Sequence, residues 1–109
     1  IGGLLTLEKV YSFEPISEQL SVEQESHVLG AQAQMWSEYL PNWKQVEYMA
    51  FPRMLALSEV VWSPRALKDW GNFRKRLPQQ LERLKQRGVQ FRMPSAAELA
   101  PAKDGVSEK

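Results

Sequence analysis

The 109-residue sequence contains no cysteine, which removes disulfide frameworks, thiolate catalysis and Cys-based zinc sites together. The redox compartment stays open, because an exported protein can also do without disulfides. Histidine occurs once, at His27, so a His-rich metal site cannot be assembled within the chain. An excess of one charge is missing as well. Fourteen Lys+Arg face 13 Asp+Glu for a formal net charge of +1, which gives no general argument for nucleic acid or an anionic membrane as partner. Uninterrupted apolar runs are short, far below the ~20 residues that span a bilayer. The chain opens Ile1-Gly2-Gly3, without an initiator Met or the charged-then-apolar pattern of a signal peptide. The expectation is a cut inside a longer protein, although tag removal would leave the same end.

What is present is ordinary for a folded domain. Apolar residues make up 43% and charged residues 25%, so a packed core is expected, in one small domain rather than two. Thr6 to Phe13 reads as a short helix with Leu7, Val10 and Tyr11 on one face, ended by Pro15. The polar stretch from Glu14 to Ser26 reads as a loop or a frayed helix.

Residues 28–36 alternate. Leu29, Ala31, Ala33 and Met35 fall on one parity, and Gly30, Gln32 and Gln34 on the other, which predicts a strand with two different faces. The second parity continues into Trp36 and Glu38, so the two point the same way just before Pro41 and Asn42 end the strand. Residues 44–62 have helical spacing, with Val46, Ala50, Met54, Leu57 and Val61 in a stripe widened by Phe51, Leu55 and Trp62. Pro52 either opens the main helix or kinks a longer one. The reading adopted is one helix disturbed near Phe51. A second helix follows from Leu67, Trp70, Phe73, Leu77, Leu81 and Leu84, with Pro78 inside it and Gly88 placed for a left-handed cap. Val89 to Met93 reads as a short extended piece, and Pro94 begins a small, polar tail. A single strand without a partner exposes its backbone donors and acceptors, so the pattern fits a piece of a larger α/β protein.

Three blocks carry a resemblance. They are Leu29-Gly-Ala-Gln-Ala-Gln-Met-Trp-Ser-Glu-Tyr39, Val46-Glu-Tyr-Met-Ala-Phe-Pro-Arg53 and Ala56-Leu-Ser-Glu-Val-Val-Trp-Ser63. Their text and separations resemble the end of the catalytic domain of family 20 glycoside hydrolases, the β-N-acetylhexosaminidases. Leu7 to Pro15 is similar to the segment before the last barrel strand in bacterial members. Asp69-Trp70 with Phe73, Arg76 and Leu77 is similar to their closing helix. The resemblance covers residues 1–93 and implies the C-terminal portion of a (β/α)8 TIM barrel, an α/β fold, with 28–36 as its last strand and 44–62 as its last helix. Residues 94–109 would be a flexible polar tail. Active sites of such barrels lie at the C-terminal ends of the strands, where Trp36 and Glu38 fall.

By resemblance, Trp36 is part of the aromatic wall around a terminal N-acetylhexosamine, since an indole offers a flat apolar face to the C–H surface of a pyranose. Glu38 is the acceptor for the O4 and O6 hydroxyls, because an ionised carboxylate can take two donors. Neither is the chemical catalyst. The family uses an adjacent Asp-Glu pair. Its Glu is the general acid, and its Asp orients the substrate acetamide, whose oxygen is the nucleophile of a retaining reaction. This differs from the usual two-carboxylate scheme. No Asp-Glu dipeptide occurs here, and the aspartates are Asp69 and Asp104 alone. The expectation is therefore binding residues without catalytic ones, an isolated chain without glycosidase activity, and a catalytic pair upstream.

No cofactor or metal is expected. The expected partners are a carbohydrate with a terminal N-acetylhexosamine and the rest of the barrel. Self-association of the isolated chain is also expected, because apolar faces are left uncovered. Export to the periplasm or the medium is what the resemblance implies for location. Tyr39 and Trp43 are candidates for the rim of the pocket. Arg53 and Glu59 are read as polar anchors of the helix, and Trp62, Trp70 and Phe73 as core between the last two helices. His27 is assigned no metal or proton-transfer role. The six basic residues between Arg74 and Arg87 lie opposite an apolar stripe and read as a solvated face. The alternative function is a non-enzymatic helical interaction domain whose apolar stripes bind a partner protein.

Overall fold

The structure, a computed structural model, describes residues 5–100. Five α-helices and two 3-10 turns form among them. Helix α1 spans Leu7–Tyr11. It starts where the Thr6 hydroxyl accepts the Lys9 amide at 3.2 Å, and it buries Leu7 and Tyr11. Helix α2, Val22–Glu25, is a single turn set by a reciprocal capping box. The Gln24 amide donates to the Ser21 hydroxyl, and the Ser21 amide donates to the Gln24 side chain. Such a box satisfies two otherwise orphaned donors, and α2 needs nothing more, for none of its residues is buried.

The strand expected over 28–36 is not formed. Among the described residues there is no β-strand at all, and 29–35 make no backbone hydrogen bond. The physical reason is the lack of a partner, since a strand exists by pairing its N–H and C=O groups with a neighbour. Trp36 retains extended dihedrals, φ −89° and ψ 116°. Ser37–Tyr39 then tighten into a 3-10 turn, so the period-two alternation stops at Trp36 and does not carry Glu38 onto the same face. In place of the expected α/β arrangement the described part of the chain is helical.

The long helix expected over 44–62 is two helices, α3 (Trp43–Ala50) and α4 (Arg53–Trp62). The Asn42 side chain starts α3 by accepting the Gln45 amide at 2.9 Å. A residue before proline is pushed out of the helical region, and Phe51 is extended at φ −110°, ψ 139°. Pro52 thus divides the apolar stripe. Arg65–Leu67 form the second 3-10 turn, and α5 runs Trp70–Gln86 from an Asp69 cap that accepts the Asn72 amide at 3.1 Å. It passes through Pro78 without ending. Gly88, at φ 75°, closes α5 in the left-handed region, with its amide on the Lys85 carbonyl and the Val89 amide on the Leu84 carbonyl, both at 3.0 Å. This is the paired bonding of a Schellman cap.

The core lies where α1, α4 and α5 meet. Leu7, Tyr11, Ala56, Val60, Phe73, Leu77 and Leu81 are buried, and Val10, Leu55, Trp70, Leu84, Phe91 and Leu99 pack against them. Burial of each large side chain contributes about 1.5–3 kcal/mol. The Tyr11 ring lies 4.9 Å from that of Phe73 and 5.8 Å from that of Trp70. Trp62 departs from its expected core position. It is the last residue of α4 and is 90% exposed, at the edge of an open concavity between α4 and α5 that leaves its ring uncovered. The tail from Pro94 begins with a docked stretch to Ala100, in which Pro94 is buried. Residues 101–109 lie outside the described part. No helix among the described residues is long and apolar enough to cross a membrane.

Candidate functional site

Two kinds of polar arrangement occur in the chain, and they differ in purpose. The first is internal. The Glu59 carboxylate on α4 accepts from the two terminal guanidinium nitrogens of Arg76 on α5, at 2.8 and 2.6 Å. It also receives the Tyr11 hydroxyl at 3.1 Å. That hydroxyl in turn accepts the Asp69 amide at 2.9 Å. Three helices are thereby tied at one point. The Arg76 bond holds the Glu59 carboxyl below its ordinary range, while burial pushes the Tyr11 phenol up. The Glu59 carboxylate spends its oxygens on Arg76 and Tyr11, so the cluster fastens the core. Arg53 acts similarly, donating to the Leu5 carbonyl at 2.9 Å and to the Met49 carbonyl at 2.8 Å. Arg53 and Glu59 thus tie α4 to other segments of this chain, while the barrel to which they were expected to anchor the helix is not among the described residues.

The second arrangement faces outward. Trp36 caps the first 3-10 turn and is 61% exposed. Glu38 lies inside that turn and is exposed, and its carboxylate makes no hydrogen bond or ion pair among the described residues. Tyr39 ends the turn and Trp43 starts α3, and both rings are exposed. Between them Pro41 and the Asn42 cap set the direction in which α3 leaves. The result is a short loop presenting three aromatic rings and one carboxylate to the outside. Aromatic faces beside an unengaged acceptor are suited to an amphipathic, hydroxyl-rich ligand.

The loop is not a closed pocket. One concavity of about 630 Å³ is lined by residues that include Glu8, Lys68, Asp69, Trp70 and Arg74. Another of about 480 Å³ lies between α4 and α5, against Glu59, Trp62, Phe73 and Arg76. Neither includes Trp36 or Glu38. No cluster of three His, Cys, Asp or Glu side chains able to hold a metal occurs among the described residues. His27 is exposed, just after α2.

Some polar residues escaped sequence reasoning. Tyr11 pairs with Glu59 across 48 positions, and Arg65 and Lys68 close on Glu14 at 3.3 and 3.7 Å. Arg92 pairs with Glu98 at 2.7 Å. Helical periodicity carries no signal for such pairs, because none of them lies within a single helix.

Comparison with known proteins gives these positions a context. The catalytic-domain model of glycosyl hydrolase family 20 matches residues 1–65. A β-hexosaminidase from Porphyromonas gingivalis is 40% identical over 94 residues, covering 86% of this chain and 12% of that protein. A β-hexosaminidase from Akkermansia muciniphila is 38% identical over 72 residues, 66% of this chain and 14% of that protein. Among solved structures, an inactive mutant of a family 20 exo-β-N-acetylglucosaminidase from Vibrio harveyi superposes with a TM-score of 0.73 at 34% identity. It covers 81% of this chain and 14% of that one. The chain thus spans about an eighth of the length of such relatives, in the stretch that includes the Trp36–Tyr39 loop and the helices behind it. On the family match and the extent of these identities, the chain belongs to glycosyl hydrolase family 20.

Proposed function

We propose that this chain is the C-terminal portion of a family 20 β-N-acetylhexosaminidase barrel and that its loop at Trp36–Tyr39 supplies sugar-binding residues to that enzyme's pocket. The observation that carries the reading is the loop itself. Glu14, Glu59 and Glu98 are engaged in ion pairs, whereas Glu38 has no partner among the described residues and stands exposed beside the exposed rings of Trp36, Tyr39 and Trp43. A carboxylate free of protein partners is able to accept two sugar hydroxyls, and the indole beside it offers an apolar wall. Residues 28–36 would become the eighth strand of the barrel by pairing with neighbours from upstream, which is what their alternation of apolar and polar residues suits.

The reaction of the whole protein is then hydrolysis of a terminal β-linked N-acetylhexosamine, with the substrate acetamide as nucleophile and retention of configuration. The proton donor and the orienting aspartate would come from an upstream Asp-Glu pair. The chain contains no such dipeptide, so by itself it binds and does not catalyse. Its exposed apolar side chains, among them Leu29, Met35, Val61 and Trp62, would face the rest of the barrel, and in isolation they favour self-association.

The test is Glu38→Ala in the full-length enzyme. Removing hydrogen bonds to a charged acceptor, about 1.5–3 kcal/mol, should lower kcat/KM for a nitrophenyl N-acetylglucosaminide by roughly ten- to a hundred-fold. Unchanged kinetics would remove Glu38 from the pocket. The non-enzymatic alternative, a helical module binding a partner protein, would be favoured if the full-length protein released no nitrophenol at all.

A further inference from the structure

Helix α3 is held in an unusual way. It is eight residues long and none of them is buried, so apolar packing alone does not seat it. Its C-terminal half is gripped by polar bonds from two other segments. Arg53 takes the Met49 carbonyl at 2.8 Å. From the far end of the chain, the Gln90 amide donates to the Glu47 carboxylate at 2.8 Å, and the Arg92 amide donates to the Phe51 carbonyl at 3.0 Å.

The segment making these bonds is itself fastened. After the Gly88 cap, the chain from Gln90 to Met93 crosses the break between α3 and α4. Phe91 and, further on, Leu99 pack against the core. The Arg92 guanidinium makes two bonds to Glu98, at 3.0 and 2.7 Å, and the Ser95 amide adds a third at 3.0 Å. The Glu98 side chain is only 6% exposed. A carboxylate with so many donors strongly prefers its charged form, and the Arg92 bond above all holds it down to about 2. Fork-to-fork pairing of this kind fixes geometry as well as charge.

At its other end α3 begins at Trp43, immediately after the loop that carries Trp36 and Glu38. The strap lies outside residues 1–65, the part that the family's catalytic-domain model matches. We infer that the C-terminal strap Gln90–Glu98, locked by the Arg92–Glu98 pair, is a positioning device for the sugar-binding loop and acts on it through α3. Arg92 and Glu98 touch no substrate in this scheme. They set where the start of α3, and therefore Glu38, stands relative to the rest of the pocket. The inference rests on the proposed role of Glu38.

A double-mutant cycle in the full-length enzyme tests it, with a nitrophenyl N-acetylglucosaminide as substrate. Arg92→Ala should raise KM by about five- to tenfold with a smaller change in kcat, because binding and not proton transfer is disturbed. In a Glu38→Ala background the same substitution should change KM little, since the contact it positions is already gone. Arg92→Lys, which keeps the charge and loses the fork, should fall between wild type and Arg92→Ala. Equal KM effects of Arg92→Ala in both backgrounds, or a lowered Tm with wild-type KM, would overturn the inference. If Arg92→Ala does not fold, Glu47→Ala takes its place in the cycle, for it removes only the acceptor that the strap uses on α3. A Glu38→Ala enzyme with wild-type kinetics would instead refute the proposed sugar site. In that case hydrogen exchange decides whether the strap holds α3: Arg92→Ala should speed exchange of the Val46 and Phe51 amides and leave those in the middle of α5 unchanged.

Discussion

The corner built by α1, α4 and α5 and the segment from Val28 to Ala50 follow different rules. In the corner Leu7, Tyr11, Ala56, Val60, Phe73, Leu77 and Leu81 are buried together, and polar groups beside them are paired: Glu59 with Arg76, and the Tyr11 hydroxyl with Glu59 and the Asp69 amide. In the segment, Leu29, Met35, Trp36, Tyr39 and Trp43 are all exposed, and Glu38 has no partner among the described residues. Low solvent exposure and paired carboxylates mark a region built for stability, although the Trp70 indole nitrogen is buried there without a partner. Exposed aromatics with an unengaged acceptor mark one whose partners are supplied from elsewhere. On the proposed reading, the contrast separates what the chain packs for itself from what it would offer to a substrate and to the remainder of an enzyme.

Substitutions should divide along the same line. The largest effect on stability belongs to the corner. Leu77 is 1% exposed at the centre of the core, and Leu77→Ala should cost about 2–5 kcal/mol in urea denaturation. A loss below 1 kcal/mol would mean that the corner is less tightly packed than its burial implies. Acid should act next, through the strap. The Glu98 carboxyl sits at about 2 against an ordinary 4.5. A depressed carboxylate stabilises the fold above its ordinary pKa, and that contribution is lost as pH falls from 4.5 toward 2. Wild type should therefore lose about 1–3 kcal/mol over that window from this group. Glu98→Gln should show a flatter profile there, and superimposable profiles would exclude the pair as the cause. The smallest effect belongs to the loop. Trp36→Ala should change stability by no more than about 0.5 kcal/mol while weakening sugar binding in the full-length enzyme. A large drop in Tm would show that the indole packs against protein and would blur the distinction between the two regions.

Much of the helical corner was legible because its signals are local. The apolar face of Leu7 and Tyr11, the stripe at Phe73, Leu77 and Leu81, and the Gly88 terminator lie within a few residues of what they control. The candidate loop was legible for a different reason, through the resemblance of its Trp-Ser-Glu-Tyr block to a known family. Misreadings arose where the outcome depends on distant partners, and at one local break within a periodic stripe. Residues 28–36 alternate as a strand does, yet form none here, because alternation states which faces would be buried and cannot supply the neighbouring strand. The stripe from Val46 to Val61 looks continuous in sequence, but Pro52 forces Phe51 out of the helical region and makes it two helices. Trp62 follows the apolar stripe of α4 and still ends 90% exposed.

By itself, then, the sequence determined the positions of caps and breaks, the apolar faces of α1 and α5, and the absence of an Asp-Glu pair. Each of these follows from the chemistry of neighbouring residues. Tertiary structure decided which face of α4 is covered, that Tyr11 and Arg76 converge on Glu59, and that a strap from the C-terminal end grips α3 behind the Trp36–Glu38 loop. The cluster at Glu59 joins residues 17 and 48 positions apart, and the bond from the strap to Glu47 spans 43. Contacts over such separations are selected by how the whole chain packs, and no local pattern encodes them.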